Sequence, residues 1–105
     1  MLDDKGKLSS LEDMETGRQY FSTCVDQDNE QIYVIGGYNH NQGVLNSIEK
    51  FVFKARKWST ERIPPINIAR INASACKVGR KYIYLFGGLD EKDFLDSIER
   101  FNADL

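Results

Sequence analysis

One stretch of twenty residues occurs twice in this chain, and no other feature constrains the fold as much. The first copy, IYVIGGYNHNQGVLNSIEKF, spans residues 32–51; the second, YIYLFGGLDEKDFLDSIERF, spans residues 82–101. The glycine pairs Gly36-Gly37 and Gly87-Gly88 lie 51 residues apart, and the tails beginning at Leu45 and Leu95 lie 50 apart. The one-residue difference falls in the polar stretch between them, where a surface loop tolerates it. A period of about 50 residues marks an array of stacked units rather than one closed core.

Each unit reads locally as strands joined by turns. Residues 20–25 and 71–78 mix small, aromatic and β-branched side chains and predict a first strand in each copy. Residues 32–35 and 82–86 are continuous apolar runs, suited to strands buried on both faces. The glycine pair closing each run lets the backbone take a positive φ or approach a neighbour with no Cβ in the way. Residues 38–44, rich in Asn and Gly, predict a loop. Residues 47–53 alternate and predict a half-buried strand, repeated at 95–101. Residues 58–63 predict a short strand stopped by Pro64-Pro65. Gly79-Arg80 predicts a two-residue hairpin turn. Four such strands make an antiparallel sheet that is apolar on both sides, and stacking such sheets radially is the propeller solution. The small-residue strand suits the crowded axis, and the tryptophan strand suits the outer edge. The expected fold class is all-β: a partial β-propeller of two adjacent four-stranded antiparallel blades in an incomplete ring.

These residues resemble the kelch repeat. Its signature is a double glycine after an apolar strand, then an aromatic residue, then a tryptophan. Here Phe51 stands 14 residues after Gly37, Trp58 stands 7 after Phe51, and Phe101 stands 13 after Gly88. Arg18 and Arg70 match the arginine that opens a kelch unit. Phe51 and Phe101 replace the usual tyrosine, and the usual glycine or histidine shortly after the arginine is absent. The resemblance covers residues 8–105. It implies kelch repeat 1 over residues 18–66 and kelch repeat 2 over residues 67–105, without its last outer strand. Residues 1–17 are then the remnant of a preceding blade or an N-terminal tail. Two such sheets would leave broad apolar faces beyond what a soluble monomer exposes, and repeat arrays need about three units. Further blades, from the same or another chain, are expected to cover them.

The chain carries 14 basic and 16 acidic residues, a net charge of −2, which gives no electrostatic reason to expect nucleic acid or an anionic membrane. No apolar run approaches the roughly 20 residues of a bilayer span, and the opening MLDDKGKLSS lacks the apolar core of a signal peptide. A cytoplasmic setting is expected. Cys24 and Cys76 fall at matching points of the two copies, too far apart for a disulfide, and read as buried, reduced thiols. With His40 they offer no zinc spacing, and no metal or cofactor is expected. Asp90, Glu91 and Asp93 read as a solvated loop. Asn72-Ala73-Ser74 matches a glycosylation sequon but sits on the expected inner strand. The glycine pairs lack the Lys-Ser/Thr and helix of a phosphate loop.

What remains is recognition. In kelch adaptors the opening arginine and nearby small polar residues often face the central mouth, which here implies Arg18, Ser22, Arg70 and Ser74. Arg70 can pair with a partner carboxylate; the alternative is an internal pair with an acidic residue of the next blade. The loops at 38–44 and 89–94 add Tyr38, His40 and Phe94 as contact residues. The expected function is a protein-interaction scaffold, not an enzyme. Its partners would be a protein and further propeller blades. The alternative is a fragment of a kelch-type enzyme of the sugar epimerase or oxidase class.

Overall fold

The computed structural model describes residue 6 and residues 8–103. The expected N-terminal remnant at 1–17 and the end of the second unit therefore lie partly outside the described residues. In chain order the strands are β1 (Ser22–Asp26), β2 (Gln31–Ile35), β3 (Tyr38–Asn39), β4 (Gly43–Val44), β5 (Ile48–Val52), β6 (Lys57–Ser59), β7 (Ser74–Val78), β8 (Tyr82–Phe86) and β9 (Ile98–Asn102). No helix occurs among the described residues. One antiparallel sheet runs β1-β2-β5-β6, a second runs β7-β8-β9, and β3-β4 is a small hairpin between β2 and β5. The two sheets are neighbouring blades of an open, partial propeller.

Register follows from side-chain pattern. Ser22 pairs with Ile35, Cys24 with Tyr33, and Ile35 with Ile48. The same face of the first sheet therefore presents Cys24, Tyr33, Ile35 and Ile48, all buried. Ile83 and Leu85 of β8 and Ala103, just after β9, complete the core with Ile66 from the connection. β1 packs along β7, where Ala75, and Ala73 just before the strand, are small enough for close approach. Tyr33 and Phe101 meet edge to face across the seam at 5.2 Å, a favourable aromatic geometry.

Polar bonds lock the same seam. Ser22 Oγ donates to the Ala73 carbonyl at 2.7 Å, and the Asn72 N–H donates to the Tyr20 carbonyl at 2.9 Å. Lys77 Nζ pairs with the buried Asp26 and reaches Asp28 at 3.1 Å. Burial pulls the Asp26 carboxyl upward, but hydrogen bonds from Lys77, Asn29 and Gln31 outweigh it and hold it below the usual carboxylate range. Desolvation likewise works against the charged Lys77, and its two aspartate partners overcome it and push its pKa up.

Several local expectations change. β1 and β7 start later than their sequence pattern suggests, because Tyr20 (φ 58°) and Asn72 (φ 54°) take the left-handed region and break the extended run. Residues 38–44 form a hairpin rather than an open loop, with Tyr38 paired to Val44. The β7–β8 turn spans three residues, since Val78 pairs with Tyr82. The tryptophan strand shortens to three residues and lies at the sheet edge, as expected. There the Trp58 indole donates to the Glu12 carbonyl at 2.8 Å and meets Phe51 edge to face at 5.3 Å. Both cysteines are free, but only Cys24 is buried; Cys76 lies on an uncovered face of β7. Among the described residues, no helix is long and apolar enough to cross a membrane.

Candidate interaction site at the double-glycine rim

Both glycine pairs lie at one end of the sheets, and the chain folds back over them. The Gly37 N–H leaves its own sheet and donates to the Arg70 carbonyl at 2.9 Å. A Cβ on Gly36 would sit 2.6 Å from that same oxygen, so the position needs glycine for close approach as well as for its φ of 64°. Beyond the glycines, Gln19 pairs with Tyr38 and Tyr38 with Val44. The second unit repeats this as Ile71 with Leu89 and Leu89 with Phe94. Each rim is therefore a miniature antiparallel layer, not a free loop.

Beneath each rim lies a buried ion pair. Arg18 Nη2 meets Glu49 Oε2 at 2.7 Å, and its remaining N–H groups donate to Thr16 O, Gly36 O, Ser47 O and Ser47 Oγ. Arg70 repeats the set with Glu99 at 2.7 Å and with Ile68 O, Gly87 O, Ser97 O and Ser97 Oγ. A guanidinium has five N–H donors, and all five are engaged in both copies. The carboxylates are engaged as well: Glu49 accepts the amides of Glu15 and Thr16, and Glu99 accepts those of Asn67 and Ile68. No buried side-chain nitrogen or oxygen among the described residues lacks a partner.

This corrects the placement of four residues expected at a binding mouth. Arg18 and Arg70 are buried and bonded within their own sheets; the carboxylate that Arg70 meets is Glu99 of its own sheet, not one of the next blade. Ser22 is buried in the seam, its hydroxyl committed to Ala73. Ser74 is exposed, but on the broad face of β7 rather than at the rim. The other three do sit on the rims. Tyr38 and His40 come together edge to face at 5.6 Å, while Phe94, 85% exposed, belongs to the second rim. Asn39 braces the Tyr38–His40 hairpin by donating to the Gly17 carbonyl at 2.6 Å.

Two residue sets escaped the sequence reading. Glu49 and Glu99 are the buried partners of the arginines, and the signal was present: Ser-Ile-Glu recurs at the same point of the alternating strand in both copies. Tyr20 is the other. It is an aromatic residue with a positive φ, 55% exposed, at the entry to the inner strand β1. A bulky residue in the left-handed region is a backbone outlier that no local pattern announces.

Between the rims runs a groove of about 420 Å³, lined by Val44, the segment 67–69 and Asp90, Glu91 and Lys92. Asp90 accepts the backbone N–H groups of Asp93 and Lys92, and these bonds hold its carboxyl below the usual range. Its role is to close its own turn. Among the described residues no group of His, Cys, Asp and Glu is placed to hold a metal ion. The chemistry on offer is contact chemistry: rings, amides and a few carboxylates on a braced frame.

Residues 18–64 match the kelch motif. Over 97 residues, 90% of the chain, the sequence is 32% identical to a RING finger domain and kelch repeat-containing protein of Dictyostelium discoideum, and the match covers 9% of that protein. It is 35% identical over 63 residues to Kelch domain-containing protein 3 of Rattus norvegicus, covering 59% of the chain and 16% of the relative. It is 29% identical over 65 residues to Kelch-like protein 4 of Homo sapiens, covering 62% of the chain and 9% of the relative. The chain thus spans less than a fifth of each of these relatives.

Proposed function

We propose that this chain, which belongs to the kelch-repeat family, is a segment of a protein-recognition propeller and binds a protein partner at its double-glycine rim. In this reading residues 18–66 and 67–105 are its two kelch units, and residues 1–17 are the remnant of a preceding blade or a tail. The observation that carries the reading is the division of labour at the rim. Arg18 and Arg70 are wholly engaged in bracing the frame, while Tyr38, His40 and Phe94 stand on the braced loops with ring surface available. Rigid loops carrying aromatic side chains bind with little ordering cost, which favours protein recognition over catalysis. A net charge of −2 supports a protein partner rather than nucleic acid, and the two free thiols support a reducing, cytoplasmic setting.

The test is site-specific photo-crosslinking. A photoreactive residue at Tyr38 or His40 should yield one discrete protein adduct that unlabelled chain competes away. The same probe at Arg80, in the turn at the other end of the sheet, should not. Equal labelling at both ends would contradict the reading.

A further inference from the structure

The groove between the rims has a free backbone edge along one wall. Both main-chain groups of Tyr38 are spent on Gln19: its N–H donates to the Gln19 carbonyl at 2.8 Å, and its carbonyl accepts the Gln19 N–H at 3.0 Å. Tyr38 and Val44 therefore face each other as a ladder pair that exchanges no hydrogen bonds, flanked by the bond from the Leu45 N–H to the Gly37 carbonyl. In such a pair the N–H and C=O of each residue point away from the other. Those of Val44 point out of the β3-β4 hairpin, and among the described residues neither has a partner. Val44 lines the groove and Tyr38 does not, so the groove lies on that outer side. The second unit is built alike: Leu89 is bonded both ways to Ile71, which turns the main-chain groups of Phe94 outward.

The other walls determine what could lie against that edge. The facing loop, residues 90–96, holds Asp90, Glu91, Asp93 and Asp96 against Lys92 alone. The arginines beneath the rims do not offset this charge, because Glu49 and Glu99 neutralise them. Glu91 reaches towards the hairpin: a Cβ on Gly43 would stand 3.4 Å from its Oε1. Among the described residues no hydrogen bond or ion pair holds that carboxylate. Ile68, 39% exposed, and Ala69 add apolar surface on the remaining side. An edge with one free donor and one free acceptor, a negative wall and an apolar patch together complement an extended, basic segment of chain.

We infer that the groove takes an extended segment of a protein partner, which exchanges main-chain hydrogen bonds with Val44. The segment carries a lysine or arginine that meets Glu91 and an apolar residue that covers Ile68. The main-chain bonds hold any extended sequence, and the two side-chain contacts select among sequences. This inference rests on the reading of the rim as the recognition face, and adds to it the site and the chemistry of what is recognised.

Random-peptide phage display on the full chain tests it, with the selected peptides then made synthetically. Peptides with Lys or Arg close to an apolar residue should be enriched. Glu91→Lys should weaken their binding by about fivefold to tenfold. An ester in place of the Gly43–Val44 amide removes the outward N–H and keeps the valine side chain, and should cost about fivefold, the worth of one hydrogen bond. Glu91 is exposed and the Val44 N–H has no partner among the described residues, so the folded β signal in circular dichroism should persist in both forms. Enrichment of acidic peptides, or of none, overturns the inference, and so do selected peptides indifferent to either Glu91→Lys or the ester. If such indifferent peptides still lose binding in Tyr38→Ala, the rim stands as the recognition face and only the groove is removed from it. Indifference to Tyr38→Ala as well would count against the rim reading too.

Discussion

Arg18 and Glu49 meet at 2.7 Å with no exposed guanidinium surface, and Arg70 and Glu99 repeat the pairing at 2.7 Å in the second sheet. Each pair ties the segment entering a blade to the strand that crosses beside it. Arg18→Ala should destabilise the chain by about 3–5 kcal/mol, because Glu49 would be left buried and uncompensated. The double change Arg18→Met with Glu49→Leu should recover much of that loss. Urea unfolding of Arg18→Met, Glu49→Leu and the double checks this; additive losses would show that the pair does not act as a unit.

Gly36 should tolerate no side chain. In Gly36→Ala the new methyl would meet a backbone oxygen of Arg70, which cannot swing aside, at a φ of 64°. A loss of at least about 2 kcal/mol is expected from strain and the weakened Gly37–Arg70 bond. Gly79→Ala, at a similar φ but in open space, should cost less. Thermal unfolding of both variants compares them directly.

The Asp26–Lys77 pair sets a pH window. Asp26 is held low in the folded state, so its contribution is present above the ordinary aspartate value, about 3.9, and is lost as pH falls through and below it. Lys77 is held high, so its contribution is present below the ordinary lysine value, about 10.4, and is lost as pH rises past it. The stability difference between the wild type and Lys77→Met should be flat between these limits and shrink at both ends. Denaturant titrations over pH read it out.

Tyr20 should trade stability for contact. Asn occupies the left-handed position of the second unit, at residue 72, and tolerates it better than an aromatic residue. Tyr20→Asn should raise stability by up to about 1 kcal/mol. If the exposed ring serves recognition, the same variant should also lose photo-crosslinked adduct at Tyr38. A stability gain with unchanged adduct would assign Tyr20 to strain alone.

The fold was legible because it is written twice. The apolar run closed by two glycines, followed by the Ser-Ile-Glu tail, located β2, β5, β8 and β9 in both units. The site was harder to read for a physical reason. Arg18 and Glu49 are 31 residues apart, and Arg70 and Glu99 are 29 apart, so each pair forms only when separate strands come together. An arginine beside a loop then looks like a free binding group. Cys24 and Cys76 show the same dependence on context: equivalent in sequence, they differ in burial because only the first has a sheet packed over it. The position of Tyr38, His40 and Phe94 on the rims was legible because glycine pairs and polar spacers mark chain reversals locally.

Everything above depends on the two sheets being stacked through β1 and β7. The amides of Gly37 and Asn72 report this most directly, since both donate across the seam, to Arg70 and Tyr20, at 2.9 Å each. Amide hydrogen exchange measured by NMR should find them protected to the same degree as the amides of the central strand β2, opening only when the whole pair of sheets unfolds. Rapid exchange at Gly37 and Asn72 while β2 stays protected would show two sheets that fold separately, and would contradict the stacking.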